Sequence, residues 1–231
     1  MQYLNAPYSR PWRILQPVVY RMLDTQWAAH FHETGELRIP SFAALHAHAD
    51  ETRVDALEGR LQLEHEQARP EGGVEFLWAS ADYSPKAYVL STTMSDSGEI
   101  ARAFGANSYI AIQQTLPFAH TIAQQIPGFV HGSEGPCIYL EGRTIRRDFG
   151  PLPPELLRQA GQHIRAPLPT AIAETLGDAP FYLKAPSFAW QLEYRFVWVT
   201  DHTTEGYITV RAPDARRFCG RRTGHAGFSN P

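Results

Sequence analysis

The chain has 231 residues, 43% of them hydrophobic, 12% aromatic and 19% charged, which suits one large globular domain and excludes a disordered composition. The net charge is −3 and the pI about 6.4, so no global positive field gathers nucleic acid or an acidic membrane. Two cysteines, Cys137 and Cys219, exclude a disulfide framework, and no stretch reaches the roughly 18 apolar residues that span a bilayer. The N-terminus lacks an apolar signal core. These features point to the cytoplasm, or to delivery by a specialised secretion machine without a signal peptide.

After an irregular lead-in, Val18–Leu23 reads as a strand behind Pro17. Thr25–Thr34 reads as a helix stopped by Gly35. Leu37–Ile39 is a brief strand ending at Pro40, and Phe42–Leu63 is helical or loop. Pro70–Gly73 is a turn leading into a strand at Val74–Ala79. Tyr88–Thr93 is a strand, Ser97–Phe104 a short helix ended by Gly105, and Tyr109–Gln113 another strand. Residues 115–180 are rich in Pro and Gly and read as less regular, with a short strand at Cys137–Leu140 and a helix at Pro153–His163. Leu192–Thr200 is the clearest strand, and Tyr207–Val210 is expected to pair with it as a hairpin. Interleaved short strands and helices give an α+β fold, as a single domain over 1–231. There is no G-x-G-x-x-G, P-loop or G-x-S-x-G signature, and neither cysteine sits in a nucleophile motif.

Three segments carry chemistry. Tyr20-Arg21 places a guanidinium in an apolar strand, where burial demands an anionic partner; a bound phosphate or carboxylate and an internal ion pair both supply one. Ser91-Thr92-Thr93 puts three hydroxyls at a strand end, suited to capping the next helix or to orienting a carboxylate. In Gln191-Leu192-Glu193, strand alternation places Gln191, Glu193 and Arg195 on one face and Leu192, Tyr194, Phe196 and Trp198 on the other, more apolar face. A solvated sheet face with a Glu193–Arg195 pair is the plain alternative.

In order and local context these segments resemble the Arg-Ser-Glu class of mono-ADP-ribosyltransferases, with Thr93 in place of the usual last serine. The stretches Tyr20–Gly59, Val89–Ile112 and Lys184–Trp198 are also similar to a bacterial domain family of unknown function. That second likeness rests on Asp55-Ala56-Leu57-Glu58-Gly59, on Lys184 and on Glu193-Tyr194-Arg195. The resemblance implies an ADP-ribosyltransferase-like mixed sheet with short helices. An insertion at about 115–180 would account for the long gap between the second and third motifs.

It implies NAD as the ligand, with Tyr20, Arg21, Ser91, Thr92 and Thr93 holding it. Ser91 is expected to hydrogen-bond Glu193, and Glu193 to stabilise an oxocarbenium-like transition state. Gln191 is expected to contact a non-arginine acceptor, protein or nucleic acid, with Phe188 and Trp190 recognising it. By the same analogy the setting would be toxin-like, defence-related or host-targeting. Asp55, Glu58 and Arg195 form a possible additional site or a structural ion network. No metal is implied by the resemblance. Two other classes stay open: a binding module of the same fold, touching nucleic acid through basic clusters such as Arg143, Arg146 and Arg147, and a metal-dependent hydrolase or nuclease. The last would use His30-x-His32 or His46-x-His48, although helical spacing turns such pairs apart.

Overall fold

The computed structural model describes residues 17–46, 55, 58–68, 74–82, 84–141, 144–146, 177–220 and 224–225. The turn expected at 70–73, the helix expected at 153–163, and His48, Arg143 and Arg147 lie outside these residues. The elements run β1 (Val19–Leu23), α1 (Thr25–Thr34), β2 (Glu36–Pro40), α2 (Phe42–His46), β3 (Arg60–Ala68), β4 (Val74–Asp82), β5 (Ala87–Thr93), α3 (Gly98–Ala103) and β6 (Ser108–Ile112). They continue with α4 (Thr115–Ala123), β7 (Phe129–Pro136), β8 (Ile138–Tyr139), β9 (Thr144–Arg146), β10 (Leu183–Lys184), β11 (Glu193–Thr200), β12 (Tyr207–Arg211) and β13 (Gly224–His225). The fold is α+β. Its central antiparallel sheet has the order β13-β6-β1-β5-β11-β7, beside the ribbons β2–β12 and β8–β10 and the sheet β4-β3-β9.

The sheet is central because β11 is buried on both faces. Tyr194, Phe196 and Trp198 face a core with Leu90, Ile110, Ile112, Phe118 and Ile122. Val197 faces a second cluster with Phe42, Val89, Phe181 and Tyr182. From Phe196 to Val199 the strand is a continuous apolar run, as burial on both sides favours, while Glu193 and Arg195 are buried at its start. The Trp198 indole, too polar to bury unpaired, donates from Nε1 to the Ala119 carbonyl at 3.0 Å.

Helix α1 begins where Asn107 Oδ1 accepts from both Thr25 N–H (2.8 Å) and Thr25 Oγ1 (3.0 Å). It stops at Gly35, whose φ of +75° and close packing on Pro213 leave no room for a Cβ.

Three expectations are corrected. Residues 60–63, expected within a helical or loop stretch, begin strand β3 and pair with β4. Residues 115–123 and 129–136 are regular: α4 buries Thr115, Phe118, Ile122 and Ala123, a helical spacing, and β7 forms a sheet edge along β11. Pro117 disguises the helix but sits in its first turn, where backbone N–H groups have no intrahelical acceptor. The glycines and Pro136 likewise disguise β7, and such residues are tolerated at an edge. The expected β11–β12 hairpin does not form. Both edges of β11 are occupied by β5 and β7, so β12 pairs antiparallel with β2 instead, from Tyr207↔Pro40 to Arg211↔Glu36.

Candidate active site

The sheet splits beside β1. On one edge β1 follows β6 through five consecutive pairs, but it meets β5 only at Tyr20↔Thr93. A cavity of about 760 Å³ is lined by residues of both strands as they part, by the start of β11 and by the β2–β12 ribbon. This size lies within the roughly 300–1,000 Å³ of small-molecule sites. Tyr20, Arg21, Ser91, Thr92, Thr93, Gln191 and Glu193 all line it, so the three segments singled out from the sequence meet in one place. Arg21 spans the split and donates from Nη1 to the Ser91 carbonyl at 2.8 Å. Thr92, on the core side, donates to the Tyr194 carbonyl at 2.7 Å, a tie between β5 and β11.

Glu193 is fully enclosed. Its Oε2 accepts from Lys184 Nζ at 2.5 Å and its Oε1 from Arg195 Nε at 2.6 Å. Glu58 Oε1 lies 2.8 Å from Arg195 Nη2 and 3.2 Å from Lys184 Nζ, so two cations and two carboxylates alternate in a neutral buried cluster. Arg195 also donates to the Phe181 carbonyl at 2.7 Å. Asp55 accepts at 2.9 Å from the Ala185 N–H, which fixes the turn after Lys184. Asp55, Glu58 and Arg195 therefore belong to the Glu193 site and form no separate one.

Burial alone would push the Glu193 carboxyl up. Arg195 and Lys184 outweigh it and hold the group down to about 2. Arg195 is moved well above its ordinary range: burial opposes this, but Glu193 and Glu58 prevail. Glu193 is thus a fixed negative charge at every physiological pH, suited to electrostatic stabilisation rather than to proton donation.

Local geometry departs from the strand reading in three ways. Gln191 ends the 3-10 turn Pro186–Gln191, and Leu192 has a φ of +45°, which is uncommon and costly for a residue with a Cβ. Gln191 and Glu193 still converge, but on Lys184: Nζ donates to Gln191 Oε1 at 2.7 Å. Leu192 is turned outward instead of lining the core, and Arg195 is wholly buried instead of displayed. The register sets Thr93 opposite Glu193 and Ser91 opposite Arg195, so Lys184 and Arg195, not Ser91, hold the carboxylate.

Phe188 lies beneath the Lys184 ammonium, 4.8 Å from Nζ to the ring centroid, and so belongs to the cluster's wall. Trp190 is 42% exposed and packs at 5.5 Å on Phe104, a cavity residue.

No family model, curated protein or solved structure matches the chain. Among the described residues, no group of three His, Cys, Asp or Glu side chains is arranged to hold a metal ion, and no helix is long and apolar enough to cross a membrane. His30 points to Glu36 at 3.3 Å, while His32 lies against the other side of α1 near Arg216.

Sequence reasoning places Lys184 at the start of the acceptor-recognition loop and does not foresee its contact with Glu193. One signal for it was present: only two lysines occur in the chain, and this one directly precedes the apolar β11 region. Trp27, His30, Arg38 and Tyr207 also line the cavity, and no local pattern marks them.

Proposed function

We propose that the cleft binds NAD⁺ and transfers its ADP-ribosyl group to a non-arginine acceptor, protein or nucleic acid. One observation carries this reading. Tyr20-Arg21, Ser91-Thr92-Thr93 and Gln191/Glu193, far apart in the chain, line a single cavity large enough for a nucleotide. The fit is chemical as well: a guanidinium, the group suited to a pyrophosphate, and an ionised carboxylate line the same cavity.

The dinucleotide supplies a glycosidic bond whose rupture leaves positive charge on the ribose. Glu193 contributes an ionised carboxylate to the cavity wall; although Lys184 and Arg195 share its charge, a carboxylate beside the ribose stabilises developing positive charge more than it stabilises the ground state. Lys184 and Arg195 fix its position and ionisation. Gln191 stands beside it with an amide rather than a carboxylate, which gives a cationic acceptor nothing to pair with and suits an amide, hydroxyl or nucleobase.

A binding module of the same fold is the second reading. It is favoured by the engagement of both Glu193 oxygens by cations, the arrangement of a structural ion network.

Calorimetric titration with NAD⁺ tests the main reading. The wild-type protein is expected to bind, and Arg21→Ala to bind at least tenfold more weakly while its melting temperature changes little, because Arg21 is only partly buried. Absence of binding by the wild type refutes the proposal.

A further inference from the structure

The β2–β12 ribbon has two unlike faces. Leu37, Ile39 and Val210 pack into the main core, with Ile208 against its margin. The register pairs Tyr207 with Pro40 and Thr209 with Arg38, so the alternate residues share the opposite face, which lines the cavity. There the Arg38 guanidinium lies over the Tyr207 ring, 3.9 Å from its centroid. Arg38 is exposed and Tyr207 is 45% exposed. Beside the ribbon, where His30 of α1 reaches Glu36 at 3.3 Å, α1 places Trp27 on the same cavity with 58% of its surface exposed.

Three flat groups in one cavity wall, none recruited into either core, are unusual for plain surface. A guanidinium already stacked on a tyrosine is held planar and keeps one face for a second ring. An indole nearby supplies another stacking surface, and nucleobases stack on such groups for about 1–3 kcal/mol each. Glu36 lines the same cavity; its Oε1 accepts from His30 Nε2 at 3.3 Å, and the carboxylate keeps acceptor capacity for an exocyclic amine.

We infer that this wall is a stacking site for the adenine ring of an adenosine nucleotide. On the proposed reading it takes the AMP half of the dinucleotide. Glu193 and the Arg38–Tyr207 face line one cavity, so a dinucleotide with its reactive bond at Glu193 has its other half to place along the same walls. The inference rests on that reading for its place in the reaction, but not for adenine binding itself.

The test is titration of the full chain with AMP and, separately, with NAD⁺, on the wild type, Arg38→Ala and Tyr207→Ala. Both substitutions lie outside the cores, and circular dichroism checks that each variant is folded. Both are expected to weaken AMP and NAD⁺ about tenfold or more. Failure of the wild type to bind AMP, or variants that bind AMP or NAD⁺ as the wild type does, would overturn the inference. The two readings separate cleanly. AMP bound and lost in the variants, with no NAD⁺ binding by the wild type, keeps the adenine site and removes the transferase. NAD⁺ bound equally by all three proteins keeps the transferase and removes the adenine site.

Discussion

Lys184 and Glu193 form the closest ion pair of the site, 2.5 Å between Nζ and Oε2. Their side chains are 2% and 5% exposed, and the same ammonium reaches Gln191 and Glu58. The pair links the end of β10 to the start of β11.

Removing one partner of a buried pair strands the other. Lys184→Met leaves Glu193 and Glu58 facing a single cation, Arg195, and is expected to cost about 3–5 kcal/mol in urea unfolding. Adding Glu58→Gln restores neutrality, so the double variant is expected to recover part of that loss. A single-variant cost below about 1 kcal/mol would show that the cluster contributes little to the fold.

Glu193 makes stability depend on pH in a defined direction. Its folded value, about 2, lies below the ordinary value of 4.5. The unfolded chain therefore takes up a proton first as acid is added. The contribution is complete above about pH 4.5 and is lost as pH falls towards 2. Urea midpoints measured from pH 5 to pH 2 are expected to fall, with a shallower fall for Glu193→Gln. Glu134 works the opposite way: burial raises it, against hydrogen bonds from Thr115 and Tyr194. Its contribution is lost as pH rises above the ordinary carboxylate range, outside the Glu193 window.

Burial pushes the Cys137 and Cys219 thiols up to about 12 each, so neither is a thiolate near neutrality. Cys137 sits close to the cluster, and its backbone N–H donates to the Glu193 carbonyl at 2.8 Å. A thiol reagent at pH 8 is expected to label neither cysteine in the native protein and both in urea. Rapid native labelling of Cys137 would mean that the site opens far more than its packing allows.

Local pattern made α1 and the strands β1, β5 and β6 legible, because each has a clear period and a glycine, proline or hydroxyl at its boundary. The core face of β11 was legible for the same reason: Tyr194, Phe196 and Trp198 alternate with more polar neighbours. What stayed hidden was set by tertiary context. No local pattern reveals that both edges of β11 are occupied, so the partner of β12 was misassigned. Alternation also fails at Leu192, where a left-handed residue turns Gln191 back towards Lys184. The site residues themselves came from short motifs, and alternation already allowed the Glu193–Arg195 pair, whereas the contact of Lys184 with Glu193 follows only from three-dimensional packing. Arg195 looked surface-exposed by alternation, and only the second cluster, with Phe42 and Phe181, covers that face.

The central claim is that Glu193 drives cleavage of the bond to nicotinamide. The most direct measurement is nicotinamide release from NAD⁺ under single-turnover conditions, for the wild type and for Glu193→Gln, each checked by circular dichroism for its fold. The account predicts release by the wild type and a fall of at least about a hundredfold in the variant. Equal release by the two proteins, or none by a wild type saturated with NAD⁺, would contradict it.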